Sequence, residues 1–135
     1  MLLIAGLTLL ALMSGAILAL GGVGSPVVIA HLAFAPGIVP LIFAAMLHFI
    51  PVLTRTGDPS PWLQRLPLLA QADGLLIVLG MQGILPYELV YAAAAVDLIF
   101  CVILLRWIIG RARAALGTPH PGWRWYAAAL ACLIL

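Results

Sequence analysis

Residues 27–53 read VVIAHLAFAPGIVPLIFAAMLHFIPVL and contain no Lys, Arg, Asp or Glu. A helix that crosses a lipid bilayer needs about 20 consecutive apolar residues, each adding about 1.5 Å to its length. This stretch exceeds that minimum, and Pro26 is well placed for the first turn of a helix. The stretch therefore predicts a membrane-spanning helix, and His31 within it becomes the main functional question.

The composition of the whole chain also indicates a membrane protein. Of the 135 residues, 66% are hydrophobic and 7% are charged, whereas soluble proteins carry about 25% charged residues. So few charged residues cannot cover a water-soluble core, which predicts an all-α integral membrane protein. The net charge of +2 is too small to suggest nucleic acid as a partner. Cys101 and Cys132 lie in apolar runs, and we expect both to be small buried hydrophobic residues.

Apolar runs predict four transmembrane helices and part of a fifth. The runs lie at about residues 2–20, 27–53, 66–85, 87–109 and 123–135. The last run has about 13 residues and is too short to cross a bilayer. We therefore interpret residues 1–135 as a single helical bundle from the front part of a longer chain. The expected partners are lipid, the remaining helices of that chain, or other membrane subunits.

The placement of arginine predicts the orientation. All six basic residues are arginines, and they flank the second and fourth loops, at positions 55, 65, 106, 111, 113 and 124. The positive-inside rule then places these two loops and the N-terminus in the cytoplasm, in a multi-pass protein of the inner (cytoplasmic) membrane. His31 consequently lies near the outer face, and His48, about 25 Å further along the same helix, lies near the inner face.

A histidine at membrane depth needs a partner, because lipid offers none. His31 is therefore hydrogen-bonded, lines a polar cavity or binds a metal, and the sequence leaves these alternatives open. Pro36 and Pro40 each remove a backbone hydrogen bond, which predicts a kink one turn inside His31. On a regular helix His48 points about 100° away from His31, so the two histidines cannot bind one metal together.

Acidic residues within the predicted spans are the other candidates. Asp73 and Asp97 lie in the third and fourth spans, where a carboxylate is costly and usually faces the bundle interior. We interpret each either as a proton-path residue or as a neutral hydrogen bond between helices. Glu88 and Tyr91 share a helix face near the depth expected for His31, where they would help to close a site from outside.

Residues 31–59 resemble part of a known family. They contain a membrane histidine, a glycine six residues later, Ala44-Ala45-Met46 and then Thr56-Gly57-Asp58-Pro59, a pattern similar to that of NnrS-type membrane proteins. The stretch also resembles the second helix of haem-copper oxidase and nitric oxide reductase catalytic subunits, in which an outer histidine ligates the low-spin haem. The resemblance implies that His31 is an axial haem ligand. It leaves copper open as a further metal, and a second axial ligand would come from outside these 135 residues.

Three functions are compatible with these features. The one we favour is a haem-binding membrane protein of NnrS-like or haem-copper-oxidase-like type, in respiratory or nitric-oxide-related metabolism. The second is a non-enzymatic helical subunit or assembly factor without a cofactor, in which His31, Asp73 and Asp97 form hydrogen bonds between helices. The third is a small proton or solute transporter that uses Asp73, Asp97 and Glu88. The sequence leaves open whether the protein is an enzyme.

Overall fold

The computed structural model describes residues 2–134, and all regular structure within that range is helical. The elements are α1 (Leu2–Leu20), α2 (Pro26–Ala33), a π-helical turn (Phe34–Ile38), α3 (Val39–Thr54), α4 (Pro61–Gln64), α5 (Leu66–Met81), α6 (Glu88–Ala114) and α7 (Trp123–Ile134). The all-α prediction is confirmed for these residues.

Within residues 2–134, three helical segments are long and apolar enough to cross a membrane: Leu2–Leu20, Pro26–Thr54 and Glu88–Ala114. The second segment contains α2, the π turn and α3, and its start is fixed by a capping interaction. The Ser25 hydroxyl oxygen accepts a hydrogen bond of 3.3 Å from the backbone N–H of Val28. Exposed surfaces of α1 and α6 are largely apolar, which is compatible with contact with a lipid bilayer.

The third predicted span is shorter in the structure than the sequence suggests. Helix α5 ends at Met81, four residues before the predicted end, and Gly83 then adopts a left-handed φ of 74°. With 16 residues, α5 alone is about 24 Å long, whereas the hydrocarbon core is about 30 Å thick. Helix α7 has 12 residues. The structure therefore supports three of the predicted spans by length, while the fourth span and the partial fifth are not confirmed.

Helices α5 and α6 form an antiparallel hairpin. Near the turn, Gly80 of α5 lies against Val90 of α6, and further along Ile77 packs with Ala93. Helix α7 packs back along α6, and α3 packs against α5. The largest core residues between these helices are Phe43, Met46, Ile50, Leu66, Leu104, Ile108 and Leu130. This hairpin sets which side chains of α5 and α6 meet inside the bundle.

The two cysteines differ in their surroundings. Cys101 is buried in the core, as predicted, whereas Cys132 in α7 is exposed, and both are free thiols. The prediction of burial is therefore wrong for Cys132. Its apolar neighbours in sequence do not form a buried face, because α7 packs on the bundle along one side only and Cys132 lies on the other.

Candidate functional site

The kink predicted at Pro36 and Pro40 takes the form of a π-helical turn. The backbone N–H of Val39 donates to the carbonyl of Phe34, five residues earlier, instead of four. Such turns widen a helix locally and are frequent at functional sites. Pro40 has no N–H to donate to the Pro36 carbonyl, so this oxygen lacks its usual helical partner. The turn therefore leaves polar backbone in the middle of an apolar segment.

Side chains from two neighbouring helices satisfy this backbone. The amide Nε2 of Gln71 on α5 donates to the Pro36 carbonyl oxygen. On the other side, the Thr8 hydroxyl of α1 donates to the Gly37 carbonyl oxygen over 2.9 Å. Both side chains are buried. The π turn is thus held between α1 and α5 by hydrogen bonds that the sequence analysis did not predict.

Backbone packing also holds the π turn against α5. A Cβ atom added at Gly74 would lie 2.5 Å from the backbone nitrogen of Pro36 and 2.6 Å from the carbonyl oxygen of Ala35. Real Cβ atoms do not come this close to backbone atoms, so only glycine fits at this contact. Gly74 directly follows Asp73, and the close approach fixes the position of Asp73 along the bundle.

The hairpin brings Asp73 and Asp97 together. Their side chains lie close enough to interact with each other, between α5 and α6. A carboxylate only accepts hydrogen bonds, so a hydrogen bond within the pair would require a proton on one of the two carboxyl groups. Asp73 is only 8% exposed, and Asp97 is half-buried. The structure therefore brings together two residues that sequence analysis considered separately.

Each member of this carboxyl pair has a buried oxygen without a hydrogen-bond partner among the described residues. Among the residues that the structure describes, Asp73 Oδ2 and Asp97 Oδ1 are buried and receive no hydrogen bond. Buried acceptors are normally satisfied, and exceptions in a native structure are often explained by function or by a bound species. The pair is thus a polar site inside the bundle with unused acceptor capacity.

His31 lies in α2 and is half-buried. Its Nδ1 is 2.9 Å from the carbonyl oxygen of Val27, one turn earlier in the same helix. A carbonyl oxygen can only accept, so the proton of the neutral ring lies on Nδ1 and Nε2 keeps its lone pair. Of the three alternatives for His31, the structure shows a hydrogen bond at one nitrogen, which leaves the other nitrogen able to bind a ligand.

His48 lies on α3, beyond the π turn, and lines a different site. It borders a cavity of about 260 Å³ together with Asp58, Gln64 and Pro67. The His48 ring also packs edge-on against Phe49, with ring centroids 5.1 Å apart. Helical spacing does not relate Asp58 to His48, because Asp58 lies in the loop after α3 and its position depends on how that loop folds back.

Glu88 and Tyr91 are both exposed near the start of α6. The Tyr91 ring packs edge-on against Tyr87, with centroids 5.5 Å apart. Helix α6 packs against α5 and α7, whereas α2 packs against α1 and α5. The described contacts of Glu88 and Tyr91 do not reach His31. Their role in closing a site around His31 stays a prediction.

No protein-family model, curated protein or solved structure matches this chain. The similarity to NnrS-type proteins and to haem-copper oxidases stays a prediction from residues 31–59. Within residues 2–134, no group of three or more His, Cys, Asp and Glu side chains is arranged to hold a metal ion. Functional conclusions about this chain therefore depend on the two polar sites, the Asp73–Asp97 pair and His31.

Proposed function

We propose that this chain is a helical membrane protein that binds and releases a proton at the Asp73–Asp97 pair, in the class of proton-conducting or proton-coupled transport subunits. The observation that carries the proposal is the close approach of the two carboxyl groups inside the bundle, one buried and one half-buried. Two carboxylates in contact in an apolar environment cannot both be ionised at low cost, so one proton is retained between them. Ionisable residues within membrane helices usually mark proton or ion pathways.

The neighbourhood of the pair supports a transport role over a purely structural one. Gly74, next to Asp73, packs directly against the π turn, and Gln71 on the same helix donates to that turn. Irregular turns within membrane helices are frequent at functional sites, including the binding sites of transporters. Each carboxyl also has one buried oxygen that receives no hydrogen bond among the described residues, which leaves an acceptor able to take up a proton.

The same proposal includes a specific membrane arrangement. Helices α4 and α5 together form a nearly continuous helical stretch over residues 61–81, about 30 Å long, which is enough to serve as a fourth span. The arginine distribution favours a cytoplasmic N-terminus in an inner (cytoplasmic) membrane.

Proton flux into vesicles tests the proposal. The protein is reconstituted into liposomes that contain a pH-sensitive dye, and flux is driven by a potassium gradient with valinomycin. We expect proton flux in the wild type and its loss in Asp73→Asn and Asp97→Asn, because a side-chain amide does not bind and release a proton in the pH range of the assay. Asp58→Asn, which removes a carboxylate from an exposed loop, is the matched control and should retain flux.

Two results would count against a proton role. Equal flux in the wild type and in the double variant Asp73→Asn/Asp97→Asn would show that the pair has no role in proton transport. A double variant that cannot be purified in folded form would instead favour the structural alternative. An Asn residue keeps the size and much of the hydrogen-bonding capacity of Asp, so folding is expected to survive the substitution.

A second candidate function is haem binding at His31. The supporting observation is the Nδ1 hydrogen bond to the Val27 carbonyl, because haem-ligating histidines commonly orient their ring in this way and use Nε2 for the metal. His31 would supply one axial position. His48 lies in a separate cavity, and His120 Nδ1 accepts from the backbone N–H of Gly122, so neither is positioned to supply the second. A bound haem would supply redox or ligand-binding chemistry, and His31 would orient it.

An absorption spectrum of the purified protein tests this second function. We expect a Soret band in the wild type and its loss or shift in His31→Ala. His48→Ala is the matched control and should leave the band unchanged. If the wild type has no Soret band after expression with sufficient haem, or if the two variants behave alike, His31 is a structural histidine.

A further inference from the structure

A second polar cavity lies at the end of α3, away from the carboxyl pair. It has a volume of about 510 Å³ and is lined by Val52, Leu53, Arg55, Thr118, Pro119, His120 and Pro121. The loop before α7 is fastened here, because the backbone N–H of His120 donates to the carbonyl oxygen of Leu53 over 3.0 Å. This bond satisfies a carbonyl in the last turn of α3, where helical partners are missing. The cavity is therefore formed by two segments that are directly bonded to each other.

Arg55 occupies an unusual backbone position at this cavity. Its φ of 53° and ψ of 41° are left-handed, and among residues 2–134 it is the one residue other than glycine with a positive φ. Helices usually end at such a position with glycine, because a side chain is strained there. Arginine in place of glycine costs stability and adds a guanidinium group. Strained positions of this kind often coincide with functional sites.

The polar groups that line the cavity are hydrogen-bond donors. The backbone N–H of Gly122 donates to His120 Nδ1 over 3.1 Å, so the proton of the neutral ring lies on Nε2. Thr118 adds a hydroxyl, and Arg55 adds a positively charged guanidinium group with several N–H donors. The residues lining the cavity include no carboxylate. Asp58, the acidic residue closest in sequence to Arg55, lines the separate cavity beside His48.

The charge around the cavity and its position at the end of a membrane helix also favour an anionic ligand. Five of the six arginines, all but Arg106, lie in or within about five residues of the segments that follow α3 and α6, which contain one acidic residue, Asp58. Arginine matches phosphate oxygens in a bidentate geometry. Basic pockets at the ends of membrane helices bind the headgroups of anionic lipids. Val52 and Leu53 supply an apolar side to the cavity that suits the lipid portion below a headgroup.

We propose that this cavity binds a phosphate group, held by Arg55, Thr118 and His120, and that its source is the headgroup of an anionic phospholipid. Arg55 supplies the charge, and the Thr118 hydroxyl and His120 Nε2 supply neutral donors. Free phosphate shares this chemistry and is the alternative source.

Lipid retention tests the proposal on the purified chain. Binding is measured by native mass spectrometry in detergent, with phosphatidylglycerol, phosphatidylcholine and inorganic phosphate as separate probes. Arg55→Gly keeps a residue that tolerates the left-handed backbone and removes the guanidinium, so it should fold. We expect it to weaken phosphatidylglycerol binding about ten- to hundredfold, which corresponds to the loss of hydrogen bonds to a charged group. Thr118→Val should weaken it less.

Arg113→Gln is the matched control, since it removes the same charge from an exposed position at the end of α6. It should change phosphatidylglycerol binding by less than about twofold, because screened surface charges contribute little. Equal losses in Arg55→Gly and Arg113→Gln, or no preference for phosphatidylglycerol over phosphatidylcholine together with no binding of inorganic phosphate, would overturn the proposal. Binding of inorganic phosphate alone that depends on Arg55 would support the site and identify free phosphate as its source.

Discussion

The contact between Gly74 and the π turn predicts a large effect from a small substitution. In Gly74→Ala, the new methyl group would lie 2.5 Å from the Pro36 nitrogen and 2.6 Å from the Ala35 carbonyl oxygen. Both neighbours are backbone atoms, so no side chain can rotate to make room. Helix α5 must move away from the π turn, which weakens the hydrogen bond from Gln71 to Pro36. We expect the free energy of unfolding to fall by about 1–3 kcal/mol, as for overpacked cores.

Gly110→Ala is the matched control for this prediction. Gly110 lies inside α6, and a Cβ atom there would meet no atom within 4 Å. The substitution should raise the free energy of unfolding by roughly 0.5–1 kcal/mol, because alanine favours a helix over glycine. The assay is reversible unfolding in mixed detergent micelles, followed by far-ultraviolet circular dichroism. If Gly74→Ala were as stable as Gly110→Ala, the close packing of α5 against the π turn would be refuted.

Three further substitutions are tested by the same unfolding assay. Gln71→Leu should lower the free energy of unfolding by about 1–3 kcal/mol, because it leaves the buried Pro36 carbonyl without its side-chain donor; no change would mean that this carbonyl is satisfied in another way. Thr8→Val keeps the shape of the side chain and removes its hydrogen bond to Gly37, and should cost less, about 0.6 kcal/mol. A loss larger than that of Gln71→Leu would contradict this ranking. Arg55→Gly should stabilise the protein by about 1 kcal/mol, because glycine relieves the left-handed strain; a loss of stability would show that the arginine side chain supports the fold itself.

Helix positions were the most predictable part of this fold. Helix α1 has the predicted bounds, and Pro26–Thr54 exceeds the predicted second span by one residue at each end. The predicted third span continued to Leu85, because a count of consecutive apolar residues does not reveal that the backbone of Gly83 is left-handed. The two prolines predicted a disruption at the right place, but whether it becomes a kink or a π turn depends on the donors that neighbouring helices supply.

The carboxyl pair was not predicted, although a signal for it exists. Helical periodicity describes which residues share a face of one helix, but it does not give the register between two helices. Asp73 and Asp97 lie at equal distances before and after Leu85, so a tight antiparallel hairpin brings them to the same depth. Gly80 lets α5 approach Val90 of α6 closely, and Gly74 fixes α5 against the π turn. That closeness depends on tertiary contacts, which the sequence shows only as isolated glycines.

The most direct test of the proposed proton site is infrared spectroscopy of the reconstituted protein at neutral pH. The stretching band of a protonated carboxyl group is distinct from that of a carboxylate, and it shifts when the proton is exchanged for deuterium. We predict this band in the wild type and in the control Asp58→Asn, and its loss in the double variant Asp73→Asn/Asp97→Asn. A wild type without the band, or a double variant that keeps it, would contradict the proposal that Asp73 and Asp97 hold a proton between them.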